Sequence, residues 1–203
     1  MKLTLDEDGY RKLINTLKDS IVETLDQWNI FFETQQPVGA CRLRRINSSI
    51  SCEEVWKQCI KGKSSMRDGI AIRREVEGTM DSSVAESIVM NPADVGRKGI
   101  EAVKEELGEN ADADFSFVGD FTSIRRKIPF NGYMIEADEC IYPSGSKLFE
   151  LEIESEEPEA AKESISKFLH ENNIKFTESE TSKYGFLRKQ AQRVSENLKN
   201  KHF

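Results

Sequence analysis

Apolar and polar positions change rhythm several times along this chain. Over 6–25, Tyr10, Leu13, Ile14, Leu17 and Ile21 recur at the spacing of one helix face, and Asp6 or Asp8 could cap its start. Trp28 to Thr34 reads as a strand ended by Gln35-Gln36-Pro37, and shorter strand-like runs follow at 40–46, 55–63 and 69–78. Two helices are predicted over 82–90 and 92–107, broken at Asn91-Pro92 and stopped at Gly108. From 114 to 155 the pattern is strand-like again, with a hairpin turn at Asn131-Gly132 and a second turn at Tyr142-Pro143-Ser144-Gly145. Pro158 opens a helix whose apolar face is Ala161, Ile165, Phe168 and Leu169. A short strand at 174–177 and a last helix over 180–199, with Leu187, Ala191, Val194 and Leu198 in line, complete the pattern. Neither a repeat nor a linker interrupts it, so residues 1–203 are expected to form one domain.

Within the strands, charge falls at every second position. Arg42 and Arg44 share a face, as do Lys61 and Lys63; Arg73, Glu75 and Glu77 make a mixed row. Arg125 and Lys127 form a basic row, Glu136 and Asp138 an acidic pair, and Glu150, Glu152 and Glu154 an acidic ladder. Alternate residues of a strand point to the same side, so each row is one face. For one strand alone, the commoner meaning is a solvated outer face. Three carboxylates within about 14 Å, however, need cations opposite them. The intervening positions (Leu43, Ile60, Leu151, Ile153) are apolar, and several amphipathic helices need a surface to cover. The expectation is therefore an α+β fold turned inside out. A closed antiparallel barrel of about eight strands would enclose a charged tunnel, with helices packed outside. Basic rows suit an extended polyanion, and carboxylate pairs suit Mg²⁺ or Mn²⁺. Phosphoanhydride chemistry fits both.

Composition removes other classes. With 29 Lys plus Arg against 36 Asp plus Glu, the net charge is −7, which disfavours nucleic acid as a partner. No apolar run approaches the roughly 20 residues of a membrane span. Cys41, Cys52, Cys59 and Cys140 form no C-x-x-C pair, and dispersed cysteines read as reduced thiols, so a cytoplasmic protein is expected. His170 and His202 sit too peripherally for a nucleophilic dyad. Gly62-Lys63-Ser64 imitates the end of a P-loop, but Lys57 stands where that loop needs its first glycine. A monomer is expected.

Taken in order, these segments resemble a known family. Phe31-Phe32-Glu33-Thr34, Cys41-Arg42-Leu43-Arg44, Ile60-Lys61-Gly62-Lys63 and Arg73-Arg74-Glu75-Val76-Glu77 are similar to its first-half segments. Phe121–Arg125 with Lys127, residues 134–139, residues 149–159 and Ser182-Lys183-Tyr184 are similar to its second-half ones. The ordered set resembles the triphosphate tunnel metalloenzymes, the CYTH superfamily, and looks closest to the small plant-type tripolyphosphatases. The resemblance implies that Lys2, Arg42, Arg44, Lys61, Lys63, Arg73, Arg125 and Lys183 grip triphosphate oxygens. It implies that Glu150 and Glu152 lead the metal ligands, with Glu75, Glu77, Glu136 and Asp138 as supporting ligands or as catalytic, water-orienting groups. Hydrolysis of inorganic tripolyphosphate with Mg²⁺ or Mn²⁺ is the implied activity. Thiamine triphosphate hydrolysis, adenylyl cyclase activity and retention of polyphosphate without turnover are the alternatives. The family's opening strand reads E-x-E-x-K; Met1-Lys2-Leu3-Thr4-Leu5 fits it from the lysine onward, without the two preceding glutamates. Glu33 stands where the family usually has aspartate.

Overall fold

A computed structural model describes residues 1–35, 40–51, 53–62 and 74–190, together with the backbone of 65–67 and 70–72. Eleven strands are β1 (Lys2–Leu5), β2 (Glu23–Glu33), β3 (Ala40–Ser48), β4 (Glu54–Lys61), β5 (Ser65–Arg67), β6 (Ile70–Ile72), β7 (Glu75–Met80), β8 (Ser116–Phe130), β9 (Tyr133–Ile141), β10 (Lys147–Ile153) and β11 (Phe176–Glu178). Helices α1 (Glu7–Leu17), α2 (Ser82–Met90), α3 (Glu101–Leu107) and α4 (Pro158–Glu171) lie between them, and residues 183–190 are also helical. β5 and β6 form a separate small hairpin.

Nine strands make one antiparallel sheet in the order β11-β1-β10-β9-β8-β2-β3-β4-β7. β11 stands at one edge and β7 at the other, and no ladder joins them among the described residues. Closure of the sheet into the barrel expected from the sequence is thus not shown by the hydrogen bonds of the described residues. The α+β class, the antiparallel pairing and the outer helices are as expected. Hydrophobic alternation orients each strand, but nothing in it specifies how the first and last edges meet.

The sheet is inside out in the expected sense. Its apolar face carries two cores. Leu3, Leu5, Ile128, Ile135, Leu151 and Ile153 pack against Tyr10 and Leu13 of α1 and Ala161, Ile165 and Leu169 of α4. Ile30, Phe32, Leu43, Trp56 and Ile60 pack against Ala85 and Ile88 of α2 and Val103 and Leu107 of α3. At roughly 25 cal/mol per Å² of apolar surface, these helix faces secure the sheet's back and leave its other face to polar side chains.

Asn131-Gly132 makes the β8–β9 turn, both residues at positive φ (47° and 83°), the conformation of a tight primed hairpin. α2 and α4 fall where periodicity puts them, and Asp81 caps α2 by accepting from the amides of Ser83 and Val84. Two predicted helices are shorter than expected. The first stops at Leu17, because β-branched Ile21, Val22 and Thr24 lead into an extended segment that pairs with both β3 and β8. The stretch 92–107 is a short 3₁₀ turn and then α3. Gly96 and Gly99 bring the backbone between them against the carbonyl of Ala111 and the amide of Gln58. The last helix is described only to residue 190.

Candidate active site

The strand registers put every charged row on the sheet's polar face. Lys2 lies opposite Glu152, Glu152 opposite Glu136, and Glu136 opposite Lys127. One step along, Thr4 faces Glu150, Glu150 faces Asp138, and Asp138 faces Arg125. Beyond β2, Arg44 pairs with Asn29 and Lys57, Arg42 with Phe31 and Cys59, Cys59 with Glu77, and Lys61 with Glu75. Period-two charge in six separate strands is thereby one continuous surface. Lys63 and Arg73, both predicted to bind substrate, lie outside the described residues.

The surface has two poles. At the first, Arg125 donates from Nε and Nη2 to the two oxygens of Asp138, each at 2.7 Å, and also reaches Glu136 and Glu152. Lys183 Nζ lies 2.7 Å from Asp138 Oδ2, 2.7 Å from Glu150 Oε2 and 2.5 Å from Glu152 Oε1, and Lys2 also pairs with Glu152. Asp138 and Glu150 are almost fully buried. Burial alone would raise the Asp138 and Glu152 carboxyls; Lys183 and Arg125, with Lys2 at Glu152, hold both below the usual carboxylate range. Glu136 is different: burial raises it, and Arg125 only partly offsets that. Glu150 stands apart, since among the described residues neither oxygen accepts a hydrogen bond and only the Lys183 ion pair faces it.

At the second pole the excess is basic. Buried Arg42 donates from Nη2 to Glu77 at 2.9 Å and lies 3.8 Å from Glu75, while Lys57 pairs with Glu77 and Lys61 with Glu75, each at 2.9 Å. Burial would raise Glu75, but Lys61, hydrogen bonds from Lys61 and Cys59, and Arg42 bring it down to about 2. Arg42 Nε is buried and has no acceptor. Arg44 has Asn29 Oδ1 at 2.8 Å as its hydrogen-bond acceptor, and burial, then the nearby guanidiniums of Arg42 and Arg125, lower its pKa. A chain of amides and hydroxyls joins the poles: Asn29 donates to Ser123 at 3.2 Å, and Ser123 to Gln27 at 3.3 Å.

Cys59 was not among the residues the charge pattern singles out. Its Sγ donates to Glu75 Oε1 at 3.1 Å, and Cys59, Glu75 and Glu77 bring ligand atoms within 4.8 Å of one another. Burial pushes the Cys59 thiol up to about 11. Its place between Lys57 and Lys61 in the same alternation was the available signal. Arg42, Lys57 and Lys61 already neutralise the two glutamates, so Glu150, whose oxygens accept no hydrogen bond and face Lys183 alone among the described residues, fits a hard divalent cation better.

One end of the polar face is apolar and covered. Phe31, Phe121, Cys140, Tyr142 and Leu148 form a cluster under Leu187 of the 183–190 helix. Tyr184 stacks on Phe31 at 5.0 Å between ring centroids and donates to Glu33 at 3.0 Å. That helix start is what aims Lys183 at the acidic pole.

Comparison with known proteins bears on the family and the fold. A family model described as CYTH domain matches residues 1–184. No curated protein matches. Among solved structures, HpAC1 from Hippeastrum, proposed as an adenylyl cyclase and described as having a dominant triphosphatase activity, has a TM-score of 0.83 at 24% identity, covering 94% of each chain. A Bacillus halodurans protein proposed as an adenylate cyclase has a TM-score of 0.68 at 16% identity, covering 90% of this chain and 92% of that one. PH1819 from Pyrococcus horikoshii OT3 has a TM-score of 0.62 at 17% identity, covering 93% and 98%. At these identities the structures speak for the fold alone.

Proposed function

The chain belongs to the CYTH domain family, and from that premise we propose that it is a divalent-metal-dependent hydrolase of small triphosphates, with inorganic tripolyphosphate as its substrate. One observation carries the reading. The same sheet face holds a buried donor without an acceptor, Arg42 Nε, and a buried carboxylate without a hydrogen-bond donor, Glu150. Buried polar atoms are otherwise almost always hydrogen-bonded, so the first calls for an anion, and the second, which only the Lys183 ion pair faces among the described residues, for a cation that its oxygens can bind directly. A metal–triphosphate complex supplies both at once.

In this reading the polar face curls into the wall of a tunnel. Arg42, Arg44 and Lys61 take the far phosphates, while Lys2, Arg125 and Lys183 take oxygens near the acidic pole; Lys63 and Arg73 join them on sequence grounds. Glu150 and Glu152 hold Mg²⁺ or Mn²⁺. Such an ion, when bound, neutralises phosphate charge and makes water a better nucleophile. The positioned guanidiniums and ammoniums fix the chain of phosphates in line and stabilise charge as it moves to the leaving oxygen. Glu75, Glu77, Glu136 and Asp138 orient the attacking water. Its oxygen bonds to the terminal phosphorus, the bond to the bridging oxygen breaks, and phosphate and diphosphate result. The triphosphatase activity described for HpAC1 supports the class of reaction.

Phosphate release from tripolyphosphate, assayed with and without Mg²⁺ or Mn²⁺, tests the proposal. Release only with metal, and its loss in Glu150→Ala/Glu152→Ala, is expected; metal-independent release would refute it. A second reading follows from Glu152, which Lys2, Arg125 and Lys183 already engage: a tunnel that retains triphosphate with little turnover. Tripolyphosphate raising the melting temperature without hydrolysis would favour it.

A further inference from the structure

Lys183 has a relationship to the acidic pole that phosphate binding does not explain. Its ammonium touches Asp138, Glu150 and Glu152 together, and among the described residues it is the one cation paired with Glu150. Three carboxylates around one positive centre is the coordination a hard divalent cation seeks. Two cations in that nest would repel each other strongly in so buried a place.

The lysine is held there by its backbone. Tyr142 donates its hydroxyl to the Lys183 carbonyl at 3.2 Å. The next residues anchor the helix through the Tyr184 ring on Phe31, the Tyr184–Glu33 hydrogen bond and buried Leu187. Arg125 and Lys2 would still balance Glu152, Glu136 and Asp138 if Lys183 left. Glu150 would not be balanced at all.

We propose that Lys183 is the protein's own occupant of the metal position, an internal counter-ion that a divalent cation displaces and that a triphosphate draws away. This rests on the assignment of Glu150 and Glu152 as metal ligands. Metal and lysine exclude each other, whereas an incoming polyanion gives the ammonium a second partner. Metal therefore binds weakly to the free protein and more tightly once triphosphate holds Lys183, and by linkage each ligand strengthens the other. The chain's own lysine sets the order in which the site fills.

Calorimetric titration of the full chain with Mn²⁺, without triphosphate, is the test. Lys183→Met should bind Mn²⁺ roughly tenfold more tightly than the wild type, the scale of ordinary couplings between sites. Removing the ammonium leaves Glu150 buried and unbalanced, so Leu187→Ala is titrated in parallel. It keeps every charge, loosens the helix, and should shift Mn²⁺ affinity the same way by less. Affinity unchanged or weakened in both variants would overturn the proposal. If that happens while Glu150→Ala/Glu152→Ala loses Mn²⁺, the metal site stands and only the role of Lys183 falls. If Glu150→Ala/Glu152→Ala binds Mn²⁺ as the wild type does, the metal assignment fails, and this inference with it.

Discussion

Arg125 and Asp138 meet across the β8–β9 pair through two parallel N–H···O bonds of 2.7 Å, in a place where both side chains are buried. The planar fork matches the carboxylate, and it continues to Glu136 and Glu152, so one guanidinium organises most of the acidic pole. Arg125→Ala should destabilise the fold by about 1–3 kcal/mol, because Asp138 Oδ1 and Glu136 lose the donor they share and, among the described residues, only Lys183 still faces Asp138. Arg125→Lys restores the charge but cannot make the fork, and should recover only part of that loss. Urea unfolding of the two variants beside the wild type measures both.

Glu75 makes stability depend on pH in a defined window. Its pKa falls from 4.5 to about 2 in the folded chain, so the fold favours its ionised form. That contribution is complete above pH 4.5 and is lost as pH falls through 4.5 toward 2. The carboxylate is partly exposed, so screening keeps the effect modest. Glu75→Gln should be less stable than the wild type at pH 6, and the gap should close on acidification. A gap that holds constant from pH 6 to pH 3 would show that Lys61 and Arg42 do not act on Glu75 through its charge.

Gly96 explains why the helix expected over 92–107 breaks. A Cβ there would stand 2.4 Å from the Ala111 carbonyl oxygen and 2.8 Å from Phe115 Cε2. A backbone oxygen cannot rotate aside, so Gly96→Ala should cost about 1–3 kcal/mol, the usual price of overpacking. The urea midpoint should fall with the slope unchanged, since a single added methyl leaves the surface exposed on unfolding nearly the same.

The sequence made the polar face legible because strand periodicity is local: Arg42 with Arg44, Glu136 with Asp138, and Glu150 with Glu152 needed only alternation to be placed on shared faces. Asn131-Gly132 was equally readable, since positive φ at both positions is a requirement of the turn itself. What could not be read depends on partners distant in the chain. That Lys183 reaches Glu150, 33 positions earlier, follows from how its helix lies on Phe31 and Tyr142. Cys59 gained its role only from the register that sets it beside Glu77 and Glu75. The first helix ended early for the same reason, as residues 23–27 are claimed by β8 and residues 25–27 by β3 as well. Closure of the sheet is the furthest such property, involving edges at opposite ends of the strand order.

Arg44 should separate stability from function. Its guanidinium has Asn29 as hydrogen-bond acceptor, no carboxylate within ion-pair distance among the described residues, and Arg42 and Arg125 as like-charged neighbours. Burial and that repulsion disfavour its charge in the empty protein, which an incoming polyanion would relieve. Arg44→Met keeps an unbranched apolar stem and removes the charge. The free protein should then become more stable, by on the order of 1 kcal/mol, as when poorly compensated buried ions give way to apolar residues. The increase in melting temperature produced by tripolyphosphate should shrink, because the ligand loses a cation that was poised for it. A stabilised protein with undiminished response to tripolyphosphate would mean that Arg44 does not face the ligand. A destabilised one would mean that its bond to Asn29 outweighs the strain of three neighbouring guanidiniums.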